Sequence, residues 1–470
     1  QRICCIGAGY VGGPTMAVIA DRCKNIDVQV VDINEERINA WNQKDLNKLP
    51  VYEPGLEEII SRARDRNLFF STHVDTAIAN ADMVFISVNT PTKTKGIGAG
   101  QASDLRWVEA CARQVAKAAT GHTIVVEKST LPVRTAQTIK NILSSSNKSA
   151  RNSNTFSVLS NPEFLAEGTA INDLEKPDRV LIGGEDSISI EALSAIYANW
   201  VPKEKILRTN LWSSELSKLT ANAFLAQRIS SINSVAAICE ATGADVREVS
   251  QAIGKDSRIG SKFLSAGPGF GGSCFKKDIL NLVYLSRHFG LDDVANYWEM
   301  VVTINQWQQK RISQLIVNNL FGTITGKKIA ILGFAFKANT NDTRDSPAIQ
   351  IINELLEEGA QVAIHDPKVT SVQISQDLQK KQSDKLDSLA PSGNWVYESQ
   401  VEEAVKGSDA IIILTEWPQY KKLDWESISK SMRPPAWVFD TRSVSNPSEI
   451  KKYGINLWRI GDGANQKLSD

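Results

Sequence analysis

The chain has 470 residues, with 53 basic against 53 acidic side chains and a net charge of zero. That length exceeds a single hydrophobic core and implies two or three domains, and the balanced charge argues against an electrostatic fit to nucleic acid or an anionic membrane, leaving room only for local basic pockets. Six cysteines without a C-x-x-C pair argue for reduced thiols in a cytosol-like compartment, with no disulfide framework and no metal site. No apolar run reaches about 18 residues and a strand begins almost at Gln1, so a soluble, cytoplasmic protein without membrane span or signal peptide is expected.

Residues 2–6 read as a short buried strand, followed by Gly7-Ala8-Gly9-Tyr10-Val11-Gly12 and a helix over 15–20. The spacing fits G-x-G-x-x-G in its strand-turn-helix setting: a tight turn, close approach to a pyrophosphate, and close helix-to-strand packing. The next strand, 28–32, ends in Asp32, 20 residues past Gly12. A carboxylate there would bind the ribose hydroxyls of NAD and repel the phosphate of NADP. Arg37 would either neutralise such a phosphate or pair with the pyrophosphate.

More buried strands follow. The strand 82–88 opens into Asn89-Thr90-Pro91-Thr92, and 123–127 ends in Lys128-Ser129-Thr130. After a polar loop over 144–155, expected to be mobile, the strand 156–160 leads into Asn161-Pro162-Glu163-Phe164-Leu165-Ala166-Glu167-Gly168. These carboxyl ends are where ligands gather in open α/β sheets. If the last turn is helical, Glu163 and Glu167 face one way, either for proton transfer or as a solvated acidic face.

From Ser213 the pattern turns all-helical. One helix runs over 213–239 and stops before Gly243, long for a globular core and suited to joining domains or subunits. Lys218 and Asn222 stand four apart among apolar neighbours, where a lysine either reaches a ligand or snorkels to water. Residues 267–272 read as a flexible loop. Ser273 then takes the N-cap of the next helix, with Cys274 in its first turn, where the helix dipole and nearby Lys276 and Lys277 favour the thiolate. Asp278, four residues on, shares its face and opposes that effect, but could hold a water or take a proton. A lone cysteine is more often an inert packing residue; this loop setting favours a reactive one. One or two helices are expected over 292–321.

Near Gly326 the βα alternation returns, with the stretch 328–337, a helix over 347–358 and strands 361–367, 410–414 and 436–440. This reads as a second Rossmann-like unit without the triple glycine, interrupted by an exposed polar insertion over 371–394. Lys337, Arg344 and Arg442 are its candidate anion binders, or merely solvated side chains. The fold class is therefore α/β: two Rossmann-like doubly wound domains, 1–212 and 326–470, joined by a long central helix and an all-helical middle domain, 213–325.

Taken in order, Gly7 to Gly12, Val88 to Thr92, Glu127-Lys128-Ser129-Thr130, Asn161 to Gly168, Glu215 to Asn222, Gly269 to Asp278 and Gly333-Phe334-Ala335-Phe336-Lys337 resemble the UDP-glucose 6-dehydrogenase family, its eukaryotic type in particular, over nearly the whole chain. The resemblance implies oxidation of the sugar's carbon 6 from alcohol to acid with reduction of two NAD. Cys274 would form a thiohemiacetal and then a thioester. Lys218 and Asn222 would stabilise the oxyanion, Asp278 would support Cys274 and hydrolysis, Glu163 would act as a base and Thr130 would position water. NAD would be bound by Gly7, Ala8, Gly9, Tyr10, Val11, Gly12, Asp32, Arg37, Val88, Asn89, Thr90, Pro91, Thr92, Ser129, Thr130, Glu167 and Arg344. The sugar nucleotide would meet Glu163, Phe164, Leu165, Lys218, Asn222, Phe263, Gly269, Phe270, Gly271, Phe275, Lys337, Arg442 and, from a partner subunit, Arg258. The helix over 213–243, too long and too apolar over Leu216, Leu219, Ala223, Phe224, Ile229, Ile232 and Val235 for one subunit to cover, is expected to form the core of a symmetric homodimer, and the resemblance implies such dimers gathering into a hexamer. The residues Ser265-Ala266-Gly267-Pro268 and Thr441 depart from the family's pattern. GDP-mannose or UDP-N-acetylmannosamine as substrate, or an inactive NAD-binding scaffold, are the alternatives.

Overall fold

The computed structural model describes residues 1–130, 132–147, 154–387 and 392–463. It divides into two compact units, Gln1–Ala221 with Leu280–Gly290, and Asn222–Ile279 with Leu291–Asp470.

The first unit is built on eight strands: β1 (Arg2–Ile6), β2 (Asp27–Val31), β3 (Leu68–Ser71), β4 (Met83–Ile86), β5 (His122–Glu127), β6 (Thr155–Ser160), β7 (Val180–Gly183) and β8 (Ile206–Thr209). Their order is β3-β2-β1-β4-β5-β6-β7-β8, parallel except where β6 meets β7. Central parallel strands are covered on both faces, so they read as unbroken apolar runs. In β1, Ile3 and Cys5 pack into the core on one side and Cys4 and Ile6 into that on the other.

The first helix, Gly12–Arg22, starts earlier than the apolar pattern indicated. Glycines open it because space is short: a Cβ on Gly12 would lie 2.0 Å from the Gly7 carbonyl oxygen, and one on Gly13 2.2 Å from the Trp41 ring. Helix Thr135–Asn147 likewise continues through 144–147, where a loop was expected. Ala136, Ile139 and Leu143 bury its inner face, which carries the helix onward despite its serines. Of the rest of that expected loop, 148–153 lie outside the described residues and Thr155 already belongs to β6.

The second unit repeats the winding with β9 (Lys328–Leu332), β10 (Gln361–His365), β11 (Asn394–Tyr397), β12 (Ala410–Ile413), β13 (Trp437–Asp440) and β14 (Asn456–Arg459), ordered β11-β10-β9-β12-β13-β14. The segment expected as a polar insertion opens with helix Ser371–Leu378, which buries Ile374 and Leu378 and is capped by the Thr370 side chain. Residues 388–391 lie outside the described residues.

The long helix Leu211–Thr242 has 32 residues, and Asp292–Asn319 is one helix of 28. The short helix Val246–Gly254, which apolar periodicity did not reveal, begins where the Asp245 side chain accepts from Arg247 N. Among the described residues no helix is long and apolar enough to cross a membrane.

Candidate functional site

In the first unit the polar loops gather at the carboxyl ends of β1, β2, β4 and β5, on either side of the β1/β4 boundary where the strand order reverses. Gly7 has φ 111°, and a Cβ there would meet the Ser87 carbonyl oxygen at 2.2 Å. At Gly9, by contrast, a Cβ would find nothing within 4 Å, which is room for a pyrophosphate against the bare backbone. The helix that follows has no acidic residue in its first turn and no side-chain cap, so its positive end is available to an anion.

Asp32 is mostly buried. Its Oδ2 accepts from Ala8 N at 3.0 Å and from Arg37 Nη1 at 2.9 Å, and its Oδ1 accepts from Asn34 N at 2.9 Å. That leaves acceptor capacity on Oδ1 for a ribose hydroxyl. Arg37 pairs with Asp32 and keeps its side chain 38% exposed. These residues fit a dinucleotide with an unphosphorylated ribose. The neighbouring loops are sewn together: Ser129 Oγ donates to Val88 O at 2.7 Å and Thr90 Oγ1 to Thr130 O at 2.9 Å, with Asn89 and Pro91 exposed and Thr92 half-buried.

Glu53, which no motif or spacing singles out, ties this edge together. Its carboxylate accepts from the Tyr10 hydroxyl through a very short bond, from Gly168 N at 2.7 Å and from Ala170 N at 3.0 Å. It thus joins the glycine loop to the turn carrying Glu167. Only distance in space reveals it, because Tyr52-Glu53-Pro54 belongs to no motif.

Residues 161–166 are not helical, so Glu163 and Glu167 do not share a helix face: Glu163 is buried and Glu167 half-buried. Asn161 is what fixes this segment. Its Oδ1 accepts from Lys128 Nζ at 3.0 Å and from the Tyr197 hydroxyl at 2.6 Å, and its Nδ2 donates to Leu181 O at 2.8 Å. Two residues on, Glu163 Oε1 lies 3.1 Å from Lys218 Nζ, the side chains 7% and 4% exposed. Lys218 therefore does not snorkel. Leu165 N donates to Glu163 Oε2 at 2.6 Å, and Arg179 covers the Phe164 ring at 3.8 Å. Burial alone would raise the Glu163 carboxyl, but the charge of Lys218, the Leu165 N–H and the charge of Lys128 outweigh it and hold the group below its ordinary value.

In the second unit the loop before Cys274 is buried from Gly267 to Gly272, not flexible. Buried amides pin it: Gly267 N donates to Asn233 Oδ1 at 2.8 Å, Gln308 Nε2 to Gly267 O at 2.9 Å, Phe270 N to Asn305 Oδ1 at 2.8 Å, and Asn305 Nδ2 to Phe270 O at 3.0 Å. The glycines serve close packing, since a Cβ on Gly269 would meet Asn305 Oδ1 at 2.7 Å and one on Gly271 the Asp345 carbonyl oxygen at 2.6 Å.

The helix begins at Phe275, so Cys274 itself holds the N-cap position and Ser273 precedes it. Asp278 N donates to Cys274 O at 2.8 Å, the first bond of that helix, and Ser273 Oγ lies 3.3 Å from Cys274 Sγ. Of the six cysteines, five are buried and Cys274 alone is partly exposed. Asp278 is almost fully buried, and its Oδ2 accepts from Asn222 Nδ2 at 2.6 Å. Lys277 Nζ is 4.0 Å from Asp278, whereas Lys276 pairs with Asp345 at 3.0 Å. Phe275 packs edge-on against Phe270, with Phe263 tilted beside it.

The cations expected to bind anions differ in how they are held. Arg442 is mostly buried, donating to Leu414 O at 2.8 Å and Phe336 O at 3.0 Å, with Glu416 at 3.2 Å. Lys337 lies over the Phe336 ring, Arg344 is exposed and paired with Asp342 at 2.7 Å, and Arg258, its side chain 88% exposed, reaches only Asp256 at 2.7 Å among the described residues.

Asp366 stands just after β10, as Asp32 stands just after β2. Its Oδ2 accepts from Phe334 N, Ala335 N and Trp417 Nε1, and its Oδ1 from Lys368 N and Val369 N. No lone pair is left for a ribose. The segment 333–346 after β9 also forms no helix, so this sheet lacks a helix end where the first has one.

Family models match in three consecutive parts of the UDP-glucose/GDP-mannose dehydrogenase family: the NAD binding domain over residues 1–201, the central domain over 212–307 and the UDP binding domain over 330–447. The chain is 55% identical to a UDP-glucose 6-dehydrogenase of Bos taurus, covering 99% of this chain and 94% of that one. It is 52% identical to UDP-glucose 6-dehydrogenase 3 of Oryza sativa subsp. japonica, covering 100% and 98%. A solved UDP-glucose dehydrogenase from Pyrobaculum islandicum superposes with a TM-score of 0.82 at 31% identity, covering 98% and 97%. With a dinucleotide edge on one sheet, a second sheet of the same winding whose matching acid is spent, and a partly exposed thiol heading a helix, the chain belongs to the UDP-glucose/GDP-mannose dehydrogenase family and takes NAD as its cofactor.

Proposed function

We propose that this chain oxidises carbon 6 of UDP-glucose to a carboxylate, giving UDP-glucuronate, in two steps joined by a covalent bond to Cys274. The observation that carries the reading is Cys274 itself, the one cysteine that is not buried, at the head of helix Phe275–His288. The names of the relatives support the substrate.

Two molecules of NAD, bound in turn, would each accept one hydride; Gly7 to Gly12, Asp32, the loops 88–92 and 129–130, and Glu167 would hold each of them. The Cys274 thiolate adds to the carbon of the intermediate aldehyde, and the carbonyl pair becomes an alkoxide that Lys218 and Asn222 stabilise. Loss of a second hydride leaves a thioester. Water, positioned by Thr130, then attacks the acyl carbon, its proton passes to Glu163 or Asp278, and the thiol departs with release of the acid. Glu163 paired to Lys218 is a weak base. As Lys218 turns toward a developing oxyanion, that restraint is lifted and Glu163 becomes the stronger acceptor.

Lys337 and Arg442 would bind the sugar nucleotide on the second sheet, and the chain would work in three parts, 1–212, 213–325 and 326–470, in the cytoplasm. A homodimer, assembling further into a hexamer, suits the surface. The long helix buries Leu219, Ala223 and Ile232 within the chain itself, but Leu216, Phe224 and Ile238 remain exposed, as do Tyr297, Met300 and Trp307 on the other long helix.

Counting NADH against sugar tests the reading. Two NADH per UDP-glucose without free aldehyde is expected. One per sugar would refute the covalent route, oxidation of GDP-mannose or UDP-N-acetylmannosamine instead would change the substrate, and no NADH with any sugar nucleotide would leave an inactive scaffold.

A further inference from the structure

Glu127 ends β5, and Glu215 sits just past the first turn of the long helix; they are 2% and 3% exposed. Glu215 Oε2 accepts from Arg134 N and its Oε1 from Ala136 N, both at 2.7 Å, where helix Thr135–Asn147 begins. Glu127 Oε2 meets no N–H or neutral O–H donor among the described residues. Its carboxyl lies against that of Glu215: Ser214 Oγ, next along the long helix, donates at 3.5 Å to the carbonyl of Ser160, the β6 partner of Glu127, and the two carboxyls act on one another. Two ionised carboxylates are both acceptors and cannot bond, so one proton lies between them.

We propose that Glu127 and Glu215 form a proton-sharing latch and are positioning residues for the oxidation, an inference that rests on the roles given above to Thr130 and Lys218. Glu127 leads directly into Lys128-Ser129-Thr130. Glu215 precedes Lys218 by three residues, one helical turn. The latch therefore fixes the strand end that carries Thr130 to the helical turn that carries Lys218, and the Lys128–Asn161 bond fixes the segment that carries Glu163.

Glu215 is the ionised member, because it receives the two backbone N–H groups. Burial and the charge of Glu215 push Glu127 well above the usual carboxylate range. The groups facing it are Glu215 from the long helix and Lys128 next along the chain, the latter turned to Asn161 and Tyr197; Ile86 of β4 and Ser160 of β6, beside it in the sheet, bring no charge. A carboxyl raised on folding gives stability that is complete below its unfolded value of about 4.3 and is lost as pH rises toward the folded value.

The test uses the full chain with three variants, Glu127→Gln, Glu127→Ala and Glu215→Gln, read by melting temperature from about pH 5 to about pH 9 and by kcat and KM. Glutamine at 127 supplies a donor that does not titrate. Its melting temperature relative to the unsubstituted chain should climb with pH, and kcat should stay within about twofold. Glu127→Ala should lower kcat about tenfold or more with KM for the sugar nucleotide little changed, and Glu127→Gln should be the rescue. Glu215→Gln should behave like Glu127→Ala, because an amide turns one N–H donor toward another. A flat melting difference across pH, failure of Glu127→Gln to fold, or equal tolerance of Gln at both positions would each overturn the latch. The melting readout needs no substrate, so a wrong assignment of the reaction leaves it standing.

Discussion

Asn222 donates from Nδ2 to Asp278 Oδ2 at 2.6 Å, and both side chains are buried. One amide hydrogen is thus spent on orientation, and the second is left to meet a developing oxyanion. Replacing Asn222 with Leu should leave the fold intact by circular dichroism but lower kcat by about 10²–10³, the usual effect of deleting one such donor, with a smaller change in KM. An unchanged kcat would remove Asn222 from the oxyanion site. Asn222→Asp should be worse, since it sets two carboxylates in contact.

Cys274→Ser should fold normally, because Cys274 joins its helix through its backbone carbonyl, which accepts from Asp278 N, and serine is itself a favoured N-cap. Turnover should fail, with an ester trapped where the thioester would have been resolved, since an ordinary serine hydroxyl is a poor nucleophile. Intact-mass spectrometry after mixing with UDP-glucose and NAD checks this; full steady-state activity would displace Cys274 from the chemistry.

The Glu163–Lys218 pair sets a dependence on pH whose direction a single substitution reverses. Glu163 is held below its ordinary value, so its contribution is present above the unfolded value of about 4.3 and is lost as pH falls through the folded one. Lys218→Met removes the charge that outweighs burial. The variant should lose about 3–5 kcal/mol near neutral pH, as breaking a buried pair does, and become relatively less stable as pH rises from about 5 to about 8. Melting temperatures of the two proteins over that range decide it, and parallel curves would contradict the buried pair.

Cofactor choice rests on Asp32 in two ways at once. It places negative charge where a 2′-phosphate would sit, and it occupies Arg37 at 2.9 Å. Asp32→Ser removes the repulsion and releases the guanidinium together, so kcat/KM with NADP should rise about tenfold or more while that with NAD falls. If NADP remains unused, Arg37 does not reach the phosphate.

Arg258, exposed and paired with Asp256, would serve a neighbouring subunit in the dimer proposed above. Under subunit exchange, inactive Cys274→Ala and inactive Arg258→Ala chains should together regain activity, because a mixed dimer carries one pocket with neither lesion. Proven exchange without recovery would assign Arg258 to its own subunit.

Much of this could be read from residue order, and the exceptions share a physical cause. Strands of the two parallel sheets announce themselves because burial on both faces makes runs such as Ile3-Cys4-Cys5-Ile6 and Ile411-Ile412-Ile413 continuous. That Cys274 stands at a helix start and Lys218 among apolar neighbours was legible from spacing. The loop over 267–272 was not, since its glycines mimic flexibility when they are there to admit Asn305 and Asp345. Glu53 was missed, and the roles of Lys128 and Asn161 inside their motifs went unread, because their partners lie far along the chain, and a polar residue satisfied by a distant one leaves no local pattern. Glu163 and Glu167 were placed on one helical face by their spacing of four, which carries that meaning only if the intervening backbone is helical.

The saturation of Asp366 bears on how a repeated fold can be given two different jobs. The second sheet keeps the acid at the same place in its winding, and every lone pair of that acid is taken by its own chain. What was a seat for a passing sugar in the first sheet has become an internal rivet in the second. Restoring glycines at Ala335 and Ala338 would therefore not recreate a dinucleotide site. The carboxylate would first have to be released from five donors that hold the loops in place, so the division of labour between the sheets is guarded by stability and not by the missing glycines alone.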